Sequence, residues 1–138
     1  MAMSLTLVTF LAPDYDKAIG WFCGALGFAL REDADLGAGK RWVVVASPGD
    51  RGARVLIARP GDARQSARVG DQLGGRVGFF LHSDDFAADH ANMRANGVHF
   101  LEPPRFEAYG IVAQFEDFLG NRWDLIQPAA GISADAGR

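Results

Sequence analysis

The chain states one local pattern twice, and that repetition constrains its fold more than any other feature. Asp14 precedes an apolar stripe at helical spacing (Ala18, Trp21, Phe22, Ala25, Leu26), and Gly27 follows it. Asp84 and Asp85 precede a second stripe (Phe86, His90, Met93), and Gly97 follows that one. An Asp side chain satisfies free N–H groups where a helix starts, and Gly accepts the left-handed turn that ends one. Each half therefore holds one helix, the first running from Asp14 to about Leu26. A strand-forming run precedes each helix, at residues 5–12 and 77–82, and three more follow it. In the first half these are residues 28–31, 41–46 and 54–59; in the second, 98–101, 111–115 and 122–127. Pro13, Gly37-Ala38-Gly39, Pro48-Gly49-Asp50, Pro60-Gly61 and Pro103-Pro104 punctuate them.

The order is βαβββ, then βαβββ. One such unit has a helix on one face of its sheet and leaves the other open. Two of them placed together curl around a shared cavity. The expected fold is α+β: two βαβββ modules forming a cupped, mostly antiparallel mixed sheet with helices on the outer face. The modules span residues 4–60 and 76–128 of a single domain. Residues 61–75, polar and Gly-containing, read as a linker with room for one helical turn, and residues 129–138 as a mobile tail.

A hydrophobic content of 49% and a charged content of 22% suit a globular core. A net charge of −3 gives no electrostatic case for nucleic acid. No apolar run approaches a membrane span, and no charged region precedes the N-terminal apolar segment as in a signal peptide. The single cysteine, Cys23, excludes an internal disulfide and fits a reducing, cytoplasmic setting; it reads as a packing residue.

The last strand follows Asp117-Phe118-Leu119-Gly120-Asn121, whose Gly-Asn pair makes a tight turn. Strand alternation then puts Trp123, Leu125 and Gln127 on one face and Arg122, Asp124 and Ile126 on the other. Residues 54–60 align with residues 122–128, which sets Leu56 opposite Asp124.

The strand-Asp-helix-Gly unit ending at Gly27, its repeat ending at Gly97, and the closing Asp117-Phe118-Leu119-Gly120-Asn121-Arg122-Trp123-Asp124-Leu125 together resemble the vicinal oxygen chelate superfamily. That superfamily includes glyoxalase I, extradiol dioxygenases, and fosfomycin- and bleomycin-resistance proteins. Phe118 stands where its closing motif usually has Pro, and Asp124 where it has Glu. The resemblance covers roughly residues 4–128 and implies a homodimer. It also implies four positions for a divalent metal in the members that are metalloenzymes: Leu7, Leu56, Gly78 and Asp124. Leu and Gly carry no side-chain donor, and one carboxylate is not a metal site. No cofactor is expected.

Parity turns Leu7, Thr9 and Leu11 toward the cavity, with Arg54, Leu56 and Ala58, and in the second module Gly78, Phe80, His82, Arg122, Asp124 and Ile126. One of Arg41 and Trp42 joins them. This lining, apolar with a few polar groups, suits a small organic ligand. Asp124 is either a general base or acceptor for a cationic ligand, or half of an ion pair with Arg122 or Arg54. His82 is either an acid/base or an exposed sheet-end residue. Gln114 contacts a ligand or bonds across strands, and Tyr109 is a lid residue or part of a surface turn. His90 reads as half-buried on its helix; His99 has no partner evident in the sequence. The first functional reading is a metal-independent small-molecule-binding protein. The alternatives are a lyase or isomerase using Asp124 or His82, and a non-catalytic regulatory or interaction module.

Overall fold

A computed structural model describes residues 1–130. The tail expected at residues 129–138 lies, from residue 131 on, outside the described residues. The chain divides into two compact units, Met1–Val69 and Gly70–Arg138.

The first unit runs β1 (Leu7–Leu11), α1 (Tyr15–Ala25), β2 (Ala29–Gly37), β3 (Lys40–Ala46), β4 (Arg54–Ala58) and the single-turn α2 (Ala63–Ser66). Its sheet is ordered β1-β4-β3-β2, with β1 and β4 parallel and the other pairs antiparallel. Asp14 caps α1 by accepting a hydrogen bond from the Lys17 N–H at 2.9 Å. Gly27 ends the helix at a φ of 70°, a conformation that costs any other residue energy. Burial alternates along β4, where Val55 and Ile57 are buried between partly exposed neighbours, while Val43, Val44, Val45 and Ala46 of β3 are all buried. Phe10, Val43, Val45, Val55 and Ile57 are buried beneath α1, where Phe22 meets Phe10 edge to face at 5.1 Å and Phe28 at 5.2 Å. Burying each of these rings contributes roughly 2–3 kcal/mol.

The second unit runs β5 (Val77–His82), α3 (Phe86–Ala95), β6 (His99–Phe100), β7 (Arg105–Glu107), β8 (Gly110–Glu116) and β9 (Arg122–Pro128). Its sheet is ordered β5-β9-β8-β6, with β7 paired to β8 and only β5–β9 parallel. Asp85 caps α3 through the Ala88 N–H, and Gly97 ends it at a φ of 87°. A ladder of rings fills the space between α3 and the sheet: Phe86, His90, Phe100, Phe115, Trp123 and Phe79, each centroid 4.3–5.6 Å from the next. His90 is half-buried within it. Burial, aided by the charge of Arg94, lowers its pKa.

Three expectations need correcting. Residues 28–31 were read as a short strand, but β2 reaches Gly37. Its polar half pairs with β3, Asp33 opposite Val43 and Asp35 opposite Arg41, with two register shifts on the way. The strand expected at 98–101 shrinks to His99–Phe100. A strand absent from the expected order, β7, precedes β8 and pairs with it, Phe106 opposite Ile111, so that Tyr109 lies in the turn of a hairpin.

The closing turn is organised by Asp117, which is 5% exposed. Its Oδ1 accepts from the N–H groups of Leu119 (2.9 Å) and Asn121 (3.1 Å), and its Oδ2 from the indole N–H of Trp123 (2.9 Å). The carboxylate thus forms the turn and fixes the first buried ring of β9. Asn121 accepts from the Gln72 N–H at 3.3 Å and ties the incoming segment to the same turn.

Candidate functional site

Each sheet has a face away from its helix. In the first unit β1 and β4 present Leu7, Thr9, Leu11, Arg54, Leu56 and Ala58 there, by alternation with the buried Phe10, Val55 and Ile57. The pairing of Val43 with Ile57 decides the parity of β3: Val44, itself only 1% exposed, points to the same side of the sheet as Leu56, and so does Trp42, 37% exposed. Arg41 lies on the other face, so of the two residues Trp42 is the open one. Its guanidinium is held by Asp33 at 2.7 Å and Asp16 of α1 at 2.9 Å, and stands over the Tyr15 ring. These carboxylates raise the Arg41 pKa, and the hydrogen bond from Arg41 in turn lowers that of Asp33. Arg54 is clamped by Asp50 through two hydrogen bonds, at 3.1 and 2.7 Å, and Arg31 approaches the same carboxylate at 3.6 Å.

In the second unit the register aligns a polar row across three strands. Phe80 on β5 lies opposite Asp124 on β9, and Asp124 opposite Gln114 on β8. Glu102 extends the row: its Oε2 accepts the Gln114 N–H at 2.8 Å, while its Oε1 accepts from Arg105 at 2.7 Å. Arg105 also binds Glu107 at 2.9 Å and the Tyr109 hydroxyl, and its pKa is raised by these partners. The parity inferred for Phe80 and His82 therefore matches the register, in which His82 is opposite Ile126. Gly78 departs from it. It sits at a register shift between Val77 and Phe79, and a side chain there would meet Leu73. Gly78 is thus covered by Leu73 and does not take a regular place in the row of β5. Tyr109 is 45% exposed.

Asp124 differs from every other carboxylate of this face. Arg122 donates to Gln114 Oε1 at 2.8 Å, and Arg54 is held by Asp50, so neither forms the ion pair considered for Asp124. Its Oδ1 is buried and has no hydrogen-bond partner among the described residues. Burial pushes its pKa above the ordinary carboxylate value; the charge of Arg105 offsets this in part, and that of Glu102 adds to it. A buried oxygen without a donor costs free energy that a bound donor would recover. Beside it Phe80 is 57% exposed, a large apolar ring left in water. Sequence parity named both residues. It missed Glu102 and Arg105, whose place in the row depends on the loop after β6 and on β7.

The four positions assigned to a divalent metal do not fit one. Leu7 and Leu56 offer only hydrocarbon, Gly78 offers no side chain, and Asp124 alone offers oxygen. Among the described residues no three His, Cys, Asp or Glu side chains are grouped to share an ion. His99, which has no evident partner in the sequence, bonds Glu116 at 2.8 Å, its neighbour across β6 and β8. No helix among the described residues is long and apolar enough to cross a membrane.

Comparison with known proteins agrees with this architecture. The chain is 43% identical over 128 residues to an uncharacterized protein of Shewanella frigidimarina, covering 92% of this chain and 95% of that one. Among solved structures it resembles UcmS2, with a TM-score of 0.78 and 28% identity over 91% of this chain and 98% of that one. It also resembles TnmS3, an antibiotic-binding protein from Streptomyces sp. CB03234, with a TM-score of 0.74 and 28% identity over 94% and 99%. The family model described as Glyoxalase/Bleomycin resistance protein/Dioxygenase superfamily matches residues 4–125, and the chain belongs to that superfamily.

Proposed function

We propose that the protein binds a small organic molecule without the help of a metal, on the sheet face that carries Asp124. The observation that carries this reading is the pairing of an unsatisfied buried carboxylate oxygen with an exposed aromatic ring directly across the strand. Such a pair costs stability in the free protein and suits a ligand with a polar handle on an apolar body. The likeness to TnmS3, itself an antibiotic-binding protein, supports the same direction. The donor-poor set Leu7, Leu56 and Gly78 supports independence from metal. A thermal-shift screen of metabolites, aromatic compounds and antibiotics, run with a chelator present, tests the reading. A ligand that binds only the folded state raises the melting temperature. Hits are expected, and Asp124→Asn is expected to weaken them. A screen without hits, or hits only when divalent metal is restored, counts against it.

One observation favours a second reading. A carboxyl whose pKa is raised by burial is also what a general base requires, and Asp124 is one. A lyase or isomerase acting through Asp124 would lose turnover in Asp124→Asn while still binding substrate. A sequestering protein would show no turnover in either form.

A further inference from the structure

The polar row of the second sheet narrows the class of ligand, on the reading that this face binds one. Of its two carboxylates, Glu102 is fully used: one oxygen accepts from Arg105 and the other from the Gln114 N–H. Gln114 accepts from Arg122, so its oxygen is occupied too. Arg105 is shared among Glu102, Glu107 and Tyr109. What this row leaves without a donor is Asp124, whose Oδ1 is closed to solvent in the free protein, so that a donor engages it as the carboxylate turns outward, with an exposed ring one strand away at Phe80. Neighbouring strands lie about 4.8 Å apart. A ring resting on Phe80 therefore holds a substituent one or two bonds long over Asp124.

We propose that the ligand is a planar or aromatic molecule bearing a protonated amine, whose N–H group donates to Asp124 while its ring packs on Phe80. A carboxylate or phosphate in the same place would meet Asp124 and Glu102 as like charges. A quaternary ammonium would satisfy the charge and leave the oxygen without a hydrogen. The amine supplies both, and its cation adds an attraction to the face of the Phe80 ring.

Four probes sharing one ring separate these cases: naphthylmethylamine, its trimethylammonium analogue, naphthylmethanol and naphthoate. Affinity is read from amide chemical-shift titrations of the intact protein at pH 7. The amine is expected to bind about tenfold or more tighter than the alcohol, the lower end for a hydrogen bond to a charged group. The trimethylammonium compound should fall between them and naphthoate last. In Asp124→Asn the preference for amine over alcohol should vanish, and in Phe80→Ala all four should weaken while the preference remains. Wild-type preference should also fade as acid protonates Asp124. Naphthoate binding as well as the amine, or an unchanged preference in Asp124→Asn, overturns the assignment of ligand class and leaves the binding reading standing. Failure of all four probes, together with a hitless ligand screen, overturns both; failure of the four with hits of another class overturns this assignment alone.

Discussion

Replacing Asp117 by Ala removes the acceptor for three donors at once, and the structure sets the cost. The Leu119 N–H lies on a half-exposed turn and can reach water. The Asn121 N–H and the Trp123 indole N–H cannot, because Asn121 and Trp123 are 5% and 2% exposed. Two buried donors left without partners cost about 1–3 kcal/mol each. Asp117→Ala is therefore expected to lose about 3–5 kcal/mol, a large share of the 5–15 kcal/mol typical of a folded domain. Asp117→Asn keeps an oxygen for the two backbone groups but turns an NH2 toward the indole N–H, so it should lose roughly half as much. Trp123→Phe spares the backbone pair and should cost about 1–3 kcal/mol. Urea unfolding followed by tryptophan fluorescence and by circular dichroism measures all three. A loss below about 1 kcal/mol in Asp117→Ala, or a larger loss in Asn than in Ala, would refute the role given to this carboxylate.

Gly110 has a φ of 145°, and a side chain there would stand 2.2 Å from the Gln127 carbonyl oxygen; Gly110→Ala should destabilise by about 2–4 kcal/mol, seen as a lower urea midpoint. Asp124→Asn should be neutral to stabilising at pH 7. The folded-state pKa of Asp124 lies above its unfolded value, so its charge weighs against folding above the folded pKa, and that penalty disappears below the unfolded one. The stability difference between mutant and wild type should shrink as pH falls through that window, and a difference that grows toward acid would contradict the assignment. Arg41→Gln should lower the melting temperature slightly in dilute buffer and less at high salt, because its bonds to Asp33 and Asp16 are exposed and screened.

The elements legible in the sequence are those marked by local chemistry. The two Asp caps, the two Gly stops and the unbroken Val43-Val44-Val45 run each report their own backbone, and each element appears where it is expected. The polar half of β2 was not legible. Glu32, Asp33 and Asp35 have poor strand propensity, and only pairing with β3 holds them extended. β7 was hidden for a related reason: its three residues are exposed, and among the described residues it pairs with β8 alone. In the candidate site, parity placed Phe80 and Asp124 on one face because alternation holds on both sides of the shift at Gly78. The orientation of Arg41 and Trp42 needed the Val43–Ile57 register, and the employment of Arg122 by Gln114 needed a side-chain conformation that no spacing reveals.

We propose that Asp124 is held as an acceptor for an organic ligand and not for a metal. It is tested most directly by following the Asp124 side-chain carboxyl carbon by NMR through a titration with a ligand from the screen, in chelator. The expected result is a shift of that signal on binding, with a lowered Asp124 pKa in the complex, and the same titration curve before and after chelation. A signal that stays still while the ligand binds, or binding that chelation abolishes and a divalent ion restores, would contradict it.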